Sequence, residues 1–214
     1  MDWNSGITGW VKCRLVYLCW MNYLAHFYLA DPEEDLMFGN YIGDGVKGSD
    51  LKRYPKEVIR GIRLHRFIDS YTDAHELVLE AKKIFYPTQA KFSGVVVDVL
   101  FDHMLALHWK AHHPQSLNTF AQRCYGIVGR KQELMPARSQ RFFYFMLQHN
   151  ILEGYAELMT IKHVFKGMDS RTKYTSNMLD AVNIDDQKRA ALKHYFDGFF
   201  PELINATHQW KKTH

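Results

Sequence analysis

Apolar residues recur at three-to-four-residue spacing along most of the chain, and the strict alternation of a half-buried strand is scarce. The spacing predicts helices over about 22–30, 34–46, 56–71, 74–85, 89–111, 116–128, 138–164, 170–180 and 186–197. Pro55, Pro87, Pro114, Pro136 and Pro201 fall near these boundaries, where a missing N–H and a fixed φ are tolerated. The run "VVVDVL" (95–100) taken alone fits a buried strand. It continues into "FDHMLALHWKAHH" without a turn signal, so length decides for a helix. With no internal repeat, low-complexity tract or linker, the expectation is an all-α, single-domain helical bundle.

Two of these helices break their own pattern. In "GIRLHRFIDSYTD" (61–73), His65 and Asp69 stand four apart on the same stripe as Val58, Ile62 and Ile68, while Lys56, Arg60 and Arg63 fall on a neighbouring face turned to solvent. In "GVVVDVLFDHMLALHW" (94–109), Asp98 and Asp102 are again four apart, with His103 beside them and Val95, Val99, Leu105 and Ala106 along the same half. An ionisable group on a core stripe is costly unless it is paired, hydrogen-bonded or bound to a metal. His and Asp side chains projecting from facing helices are how helical bundles build metal sites. His26, the single ionisable group in "NYLAHFYLA", and Asp44, set among glycines in "GNYIGDGVKG", are candidates for a third and a fourth contribution. The competing readings are a buried His65–Asp69 ion pair locking two helices, capping or exposure for Asp98, Asp102 and His103, and a hydrogen-bonded core histidine at His26. His75, His108, His112 and His113 read as peripheral groups.

Composition narrows the class further. A chain of 214 residues with 47% hydrophobic content can bury one sizeable core. Its formal charge of +4 is mildly basic and falls short of the clustered Lys/Arg excess of a dedicated nucleic-acid binder. Cys13, Cys19 and Cys124 form neither a disulfide framework nor a zinc pattern, which points to a reducing cytoplasm. Near the N-terminus, "VKCRLVYLCWMNYLAHFYLA" imitates a signal peptide or membrane span, but Asn22 and His26 interrupt it and no small-residue cleavage site precedes "DPEED". The expected organisation is therefore an extension over residues 1–20, with Met21 as the functional start, and one domain over 21–214, not embedded in a membrane.

The segments "MNYLAHFYLA" (21–30), "GNYIGDGVKG" (39–48), "GIRLHRFIDSYTD" (61–73), "DVLFDHMLALHW" (98–109) and "GMDSR" (167–171) resemble, in order, the motifs of the acyl carrier protein phosphodiesterases, a divergent branch of the HD-domain phosphohydrolases. The resemblance implies an HD-like helical fold and a divalent metal centre activated by Mn2+ or Mg2+. The reaction it implies is hydrolysis of the phosphodiester between 4'-phosphopantetheine and a serine of holo-acyl carrier protein. It implies His26, Asp44, His65, Asp69, Asp98 and Asp102 as metal-site residues, and Asp44, Asp69, His103 and Arg66 as catalytic ones, Arg66 holding a phosphate oxygen. Phe67, Gly43 and Gly45 depart from the family pattern and bear on the shape of the pantetheine channel. An acidic carrier protein would be steered by Lys56, Arg60 and Arg63. Two other readings share the pattern: an HD-like phosphohydrolase of small phosphoesters or nucleotides, and a non-catalytic helical binding protein. A di-iron bundle fits less well, because its Glu-x-x-His pairs are absent. The general acid and the oligomeric state stay open.

Overall fold

A computed structural model describes residues 23–214, so the proposed extension 1–20, with Cys13 and Cys19, lies outside the described residues. Among those described there is no strand. The helices are α1 (Tyr23–Ala30), α2 (Glu34–Ile42), α3 (Lys56–Ala74), α4 (Glu76–Gln89), α5 (Ser93–Leu107), α6 (Trp109–His112), α7 (Leu117–Gly129), α8 (Ala137–Gln148), α9 (Ile151–Gly154), α10 (Leu158–Asp169) and α11 (Asp186–Thr213), with short 3-10 turns between several of them. The all-α expectation therefore holds for the described chain. None of these helices is long and apolar enough to cross a membrane.

Local chemistry explains most of the ends. Pro55 and Pro136 precede α3 and α8, Ser116 accepts from the Thr119 N–H at 3.1 Å to start α7, and Asp185 accepts from the Lys188 N–H at 2.8 Å to start α11.

Four of the sequence expectations need correction. The stretch 138–164 is three helices, because Asn150 sits in the left-handed region (φ 45°) and a second break follows at Tyr155–Glu157. Residues 170–180 form no α-helix: Asp169 accepts from the N–H groups of Met178 and Leu179, both at 3.0 Å, and from Ser176 Oγ, which gathers a loop and a 3-10 turn (Met178–Asn183) around one carboxylate. The helix expected over 89–111 begins at Ser93 and breaks at His108. Pro201 ends nothing. It lies inside α11 at an exposed position, and Asp197, whose carbonyl loses its N–H partner, is an exposed residue as well.

The contact that positions the site is the crossing of α2 over α3, the most extensive helix pairing in the fold. It is made by two glycines set back to back. A Cβ on Gly39 would lie 2.9 Å from Gly61 Cα, and one on Gly61 would lie 2.8 Å from Gly39 Cα and 2.9 Å from Asn40 N. Only hydrogen side chains allow the backbones this close. The approach brings His65, one turn beyond Gly61, against the end of α2 and the 3-10 turn Gly43–Gly45 that follows it.

Candidate metal centre

Helix α1 begins on a carboxylate from another helix. Asp102, fully buried on α5, accepts from Leu24 N at 2.8 Å and Ala25 N at 2.9 Å, satisfying two of the N–H groups that a helix start leaves open. This fixes α1 on α5 and presents His26 to α2 and α3. Asn40 then clamps that histidine: its Nδ2 donates to the His26 carbonyl at 2.9 Å, which leaves its Oδ1 2.7 Å from His26 Nδ1. With an acceptor oxygen facing Nδ1, the ring proton belongs on Nδ1. In the neutral ring, Nε2 is then a lone pair, and it points at Asp69 Oδ1, 3.2 Å away. Two acceptors face each other there across a gap that a proton or a cation would fill.

His65 repeats the situation. Its Nε2 lies 3.0 Å from Asp44 Oδ1 and 3.3 Å from Asp69 Oδ2, within ion-pair distance but not at hydrogen-bonding angles. The His26 and His65 rings are 4.4 Å apart, and one ligand atom from each of His26, His65 and Asp69 lies within 4.8 Å of the others. Both imidazoles are buried, whereas Asp44 and Asp69 keep 18% and 26% of their side chains exposed, so the carboxylates form the solvent side of the cluster. Burial opposes protonation of His26, but its contacts with Asp69 and Asn40, and the charge of Asp44, outweigh burial and raise its pKa. Cations are therefore favoured between these rings and carboxylates, and the donor set of imidazole nitrogen and carboxylate oxygen suits a borderline or hard divalent ion.

Gly43 and Gly45, read in the sequence as bearing on a substrate channel, have other duties. A Cβ on Gly43 would lie 2.6 Å from both Cβ and Cδ2 of His65, so the missing side chain is the space the imidazole occupies. Gly45 packs on Ser139 and Pro136.

The remaining predicted residues separate. Asp102 is the cap of α1 and is not among the clustered atoms; burial, against the pull of its two N–H donors, pushes its pKa up to about 7. Asp98 is half-buried one turn before it, close enough to feel His26 and Asp69, and burial lifts its carboxyl to about 7 despite the opposing charge of Lys82. His103 turns elsewhere: Nδ1 meets the Tyr155 carbonyl at 2.6 Å, between α9 and α10, and burial lowers its pKa. Arg66 commits Nη2 to the Val46 carbonyl at 3.0 Å, bracing the loop after Asp44. Of the three docking candidates, Lys56 and Arg63 are exposed. Arg60 is tied to Glu33 at 2.6 Å and to the Lys211 carbonyl at 2.9 Å, joining α3 to the start of α2 and the end of α11, and so is not a free docking cation.

Sequence reasoning missed Asn40, whose one signal is an amide inside the apolar segment "LMFGNYI", and Lys82 on α4, which the pattern gives no reason to separate from other helix lysines.

A family model described as acyl carrier protein phosphodiesterase matches residues 21–203. A Yersinia pestis protein of that name is 33% identical over 185 residues, covering 86% of this chain and 96% of its own length. Another, from Photorhabdus laumondii subsp. laumondii, is 31% identical over 185 residues, covering 86% of this chain and 93% of its own. No solved structure gives a significant match.

Proposed function

The chain belongs to the acyl carrier protein phosphodiesterase family, and on that premise we propose that it hydrolyses the phosphodiester linking 4'-phosphopantetheine to a serine of holo-acyl carrier protein. Water adds to phosphorus, the bond from phosphorus to the serine oxygen breaks, and the serine oxygen takes up a proton. The products are apo-carrier protein and free 4'-phosphopantetheine.

The observation that supports this site most is the His26 Nε2 lone pair, forced by Asn40 to face Asp69, with His65 Nε2 equally without a hydrogen bond beside it. His26, His65 and Asp69, with Asp44 at 3.0 Å from His65, are the residues that would hold the divalent ion, Mn2+ or Mg2+ by the family resemblance. That ion would neutralise charge on the phosphoryl oxygens and lower the pKa of water. The chain's own residues do the positioning. Asn40 fixes the His26 tautomer, Gly43 leaves room for the His65 ring, and Arg66 holds the Val46 backbone beside Asp44. The partly exposed faces of Asp44 and Asp69 orient the attacking water, since they are the acceptors nearest solvent. Holo-carrier protein, an acidic cytoplasmic protein, docks on the side of α3 that carries Lys56 and Arg63.

Incubation of the purified chain with holo-carrier protein and Mn2+, followed by intact-mass analysis, is expected to show loss of the phosphopantetheine mass and its suppression by a chelator. Unchanged holo-carrier protein, with cleavage of a generic diester instead, would favour a small-phosphoester hydrolase. No cleavage of either would favour a binding protein.

A further inference from the structure

A negatively charged phosphodiester meets an electrostatic difficulty at this site. Asp44 and Asp69 form its solvent side, with Asp73 one turn beyond Asp69 and Asp98 close enough to feel both Asp69 and Asp73, so carboxylates gather where the phosphodiester must enter. Lys82 is placed to relieve it. Its Nζ lies 2.8 Å from Asp73 Oδ1, and Asp73 is one helical turn beyond Asp69 on α3. On the other side, a Cβ on Gly94 would sit 3.4 Å from Lys82 Cε and 3.8 Å from Nζ, and Gly94 is one turn before Asp98 on α5. The ammonium group therefore lies by Asp73 of α3 and near Gly94 of α5, residues that are each one turn, about 6 Å of helix rise, from Asp69 and Asp98 respectively. Gly94 leaves the lysine stem room to lie over α5. The side chain keeps 21% of its surface exposed, while Asp73 beneath it is 77% exposed, so the pair opens outward. Among the attractions that Asp98 feels, Lys82 is the largest.

Resting on the phosphodiesterase reading, we propose that Lys82 is a phosphate-binding residue of this site: its ammonium, which pairs with Asp73 in the free protein, holds a non-bridging oxygen of the phosphodiester, and of the phosphate on the released product. Lysine serves here as a mobile point charge, unlike Arg66, one of whose donors is already fixed on backbone.

Inorganic phosphate is the probe, read by its stabilisation of the Mn2+-supplemented protein against heat and by its inhibition of holo-carrier protein hydrolysis. Lys82→Met is expected to raise the phosphate concentration giving half-maximal stabilisation at least tenfold. Lys82→Arg should stay within about threefold of the parent. Asp73→Ala, which breaks the ion pair but keeps the ammonium, should retain the phosphate response. If the pair merely fastens α4 to α3, Lys82→Met and Asp73→Ala will lower the melting temperature alike and leave the phosphate response of both unchanged, which overturns the proposal. Should Lys82→Met not fold, loss of the response in Lys82→Gln supports it and retention overturns it. Failure of the parent to hydrolyse holo-carrier protein would overturn the parent reading instead, whatever the phosphate titrations give.

Discussion

On α3, His65 and Asp69 are four residues apart; on α5, Asp98 and Asp102 have the same spacing and the same apolar flanks. The outcome differs at the atomic level. Asp102 has a backbone N–H on each carboxylate oxygen, so its burial is compensated inside the protein. His65, like His26 across from it, has no hydrogen bond at Nε2 and has carboxylate oxygens at its front. The completed pair holds a helix in place. The uncompleted one leaves imidazole and carboxylate acceptors facing each other, a gap that a proton or a cation would fill. Buried polarity is therefore informative about function only after its partners have been counted.

The comparison can be broken most sharply at Asp69. Asp69→Ala is expected to lower hydrolysis of holo-carrier protein on the order of 10³-fold and to reduce bound manganese, with little loss of thermal stability, since it relieves a crowded set of acceptors. Elemental analysis and melting curves of the same sample check both halves, and a strong destabilisation would place Asp69 with Asp102.

Asp102→Ala should do the reverse. Two buried N–H groups are left without acceptors at roughly 1–3 kcal/mol each. A stability loss of about 3 kcal/mol, or a fall in melting temperature of about 6–12 °C, is expected, with Asp102→Asn intermediate. Chemical denaturation measures it.

Gly43→Ala sharpens the contrast from the packing side. The added methyl displaces His65, so activity should drop about 100-fold, the cost of a misplacement near 1 Å. Gly48→Ala, with nothing within 4 Å of the new carbon, should leave rates unchanged.

The smallest effect concerns Asp98, which lies between the two regions. It faces Lys82 on α4, Asp69 and Asp73 on α3, and His26 on α1. In the folded chain its carboxyl titrates near 7 rather than at 3.8, so between those values the folded state holds the extra proton. Stability from this group is present at low pH, declines as pH rises through that window, and levels off above about 7. Asp98→Asn should remove the slope, melting above the parent near pH 8 and close to it near pH 4. Melting curves across pH decide it.

The helices were readable because Val58, Ile62, Ile68 and their counterparts repeat at helical period, and because Pro55, Pro136 and Ser116 mark starts by local chemistry. The breaks at Asn150 and after Asp169 were not, since a left-handed asparagine and a carboxylate gathering a distant turn depend on tertiary partners. In the candidate site the pattern put His65 and Asp69 inward on one stripe, and offered His26 only as a further candidate beside the reading of a hydrogen-bonded core histidine. It could not separate Asp102 from them, because facing inward says nothing about what waits there. Asn40 and Lys82 were illegible for the opposite reason: each gains its significance from an atom on another helix.

The cap on α1 has a consequence for the order in which the chain assembles. His26, Asn40, Asp44, His65 and Asp69 all fall within one uninterrupted stretch, short enough to collapse as a local unit. The carboxylate that fixes the start of α1 arrives 77 residues after Ala25, and its contact closes a loop that costs chain entropy before it returns anything. During synthesis, the segment bearing the cluster thus emerges before its latch. A chain stalled short of Asp102 would carry every member of the cluster, with Asn40 present to clamp His26, and lack the carboxylate that caps α1.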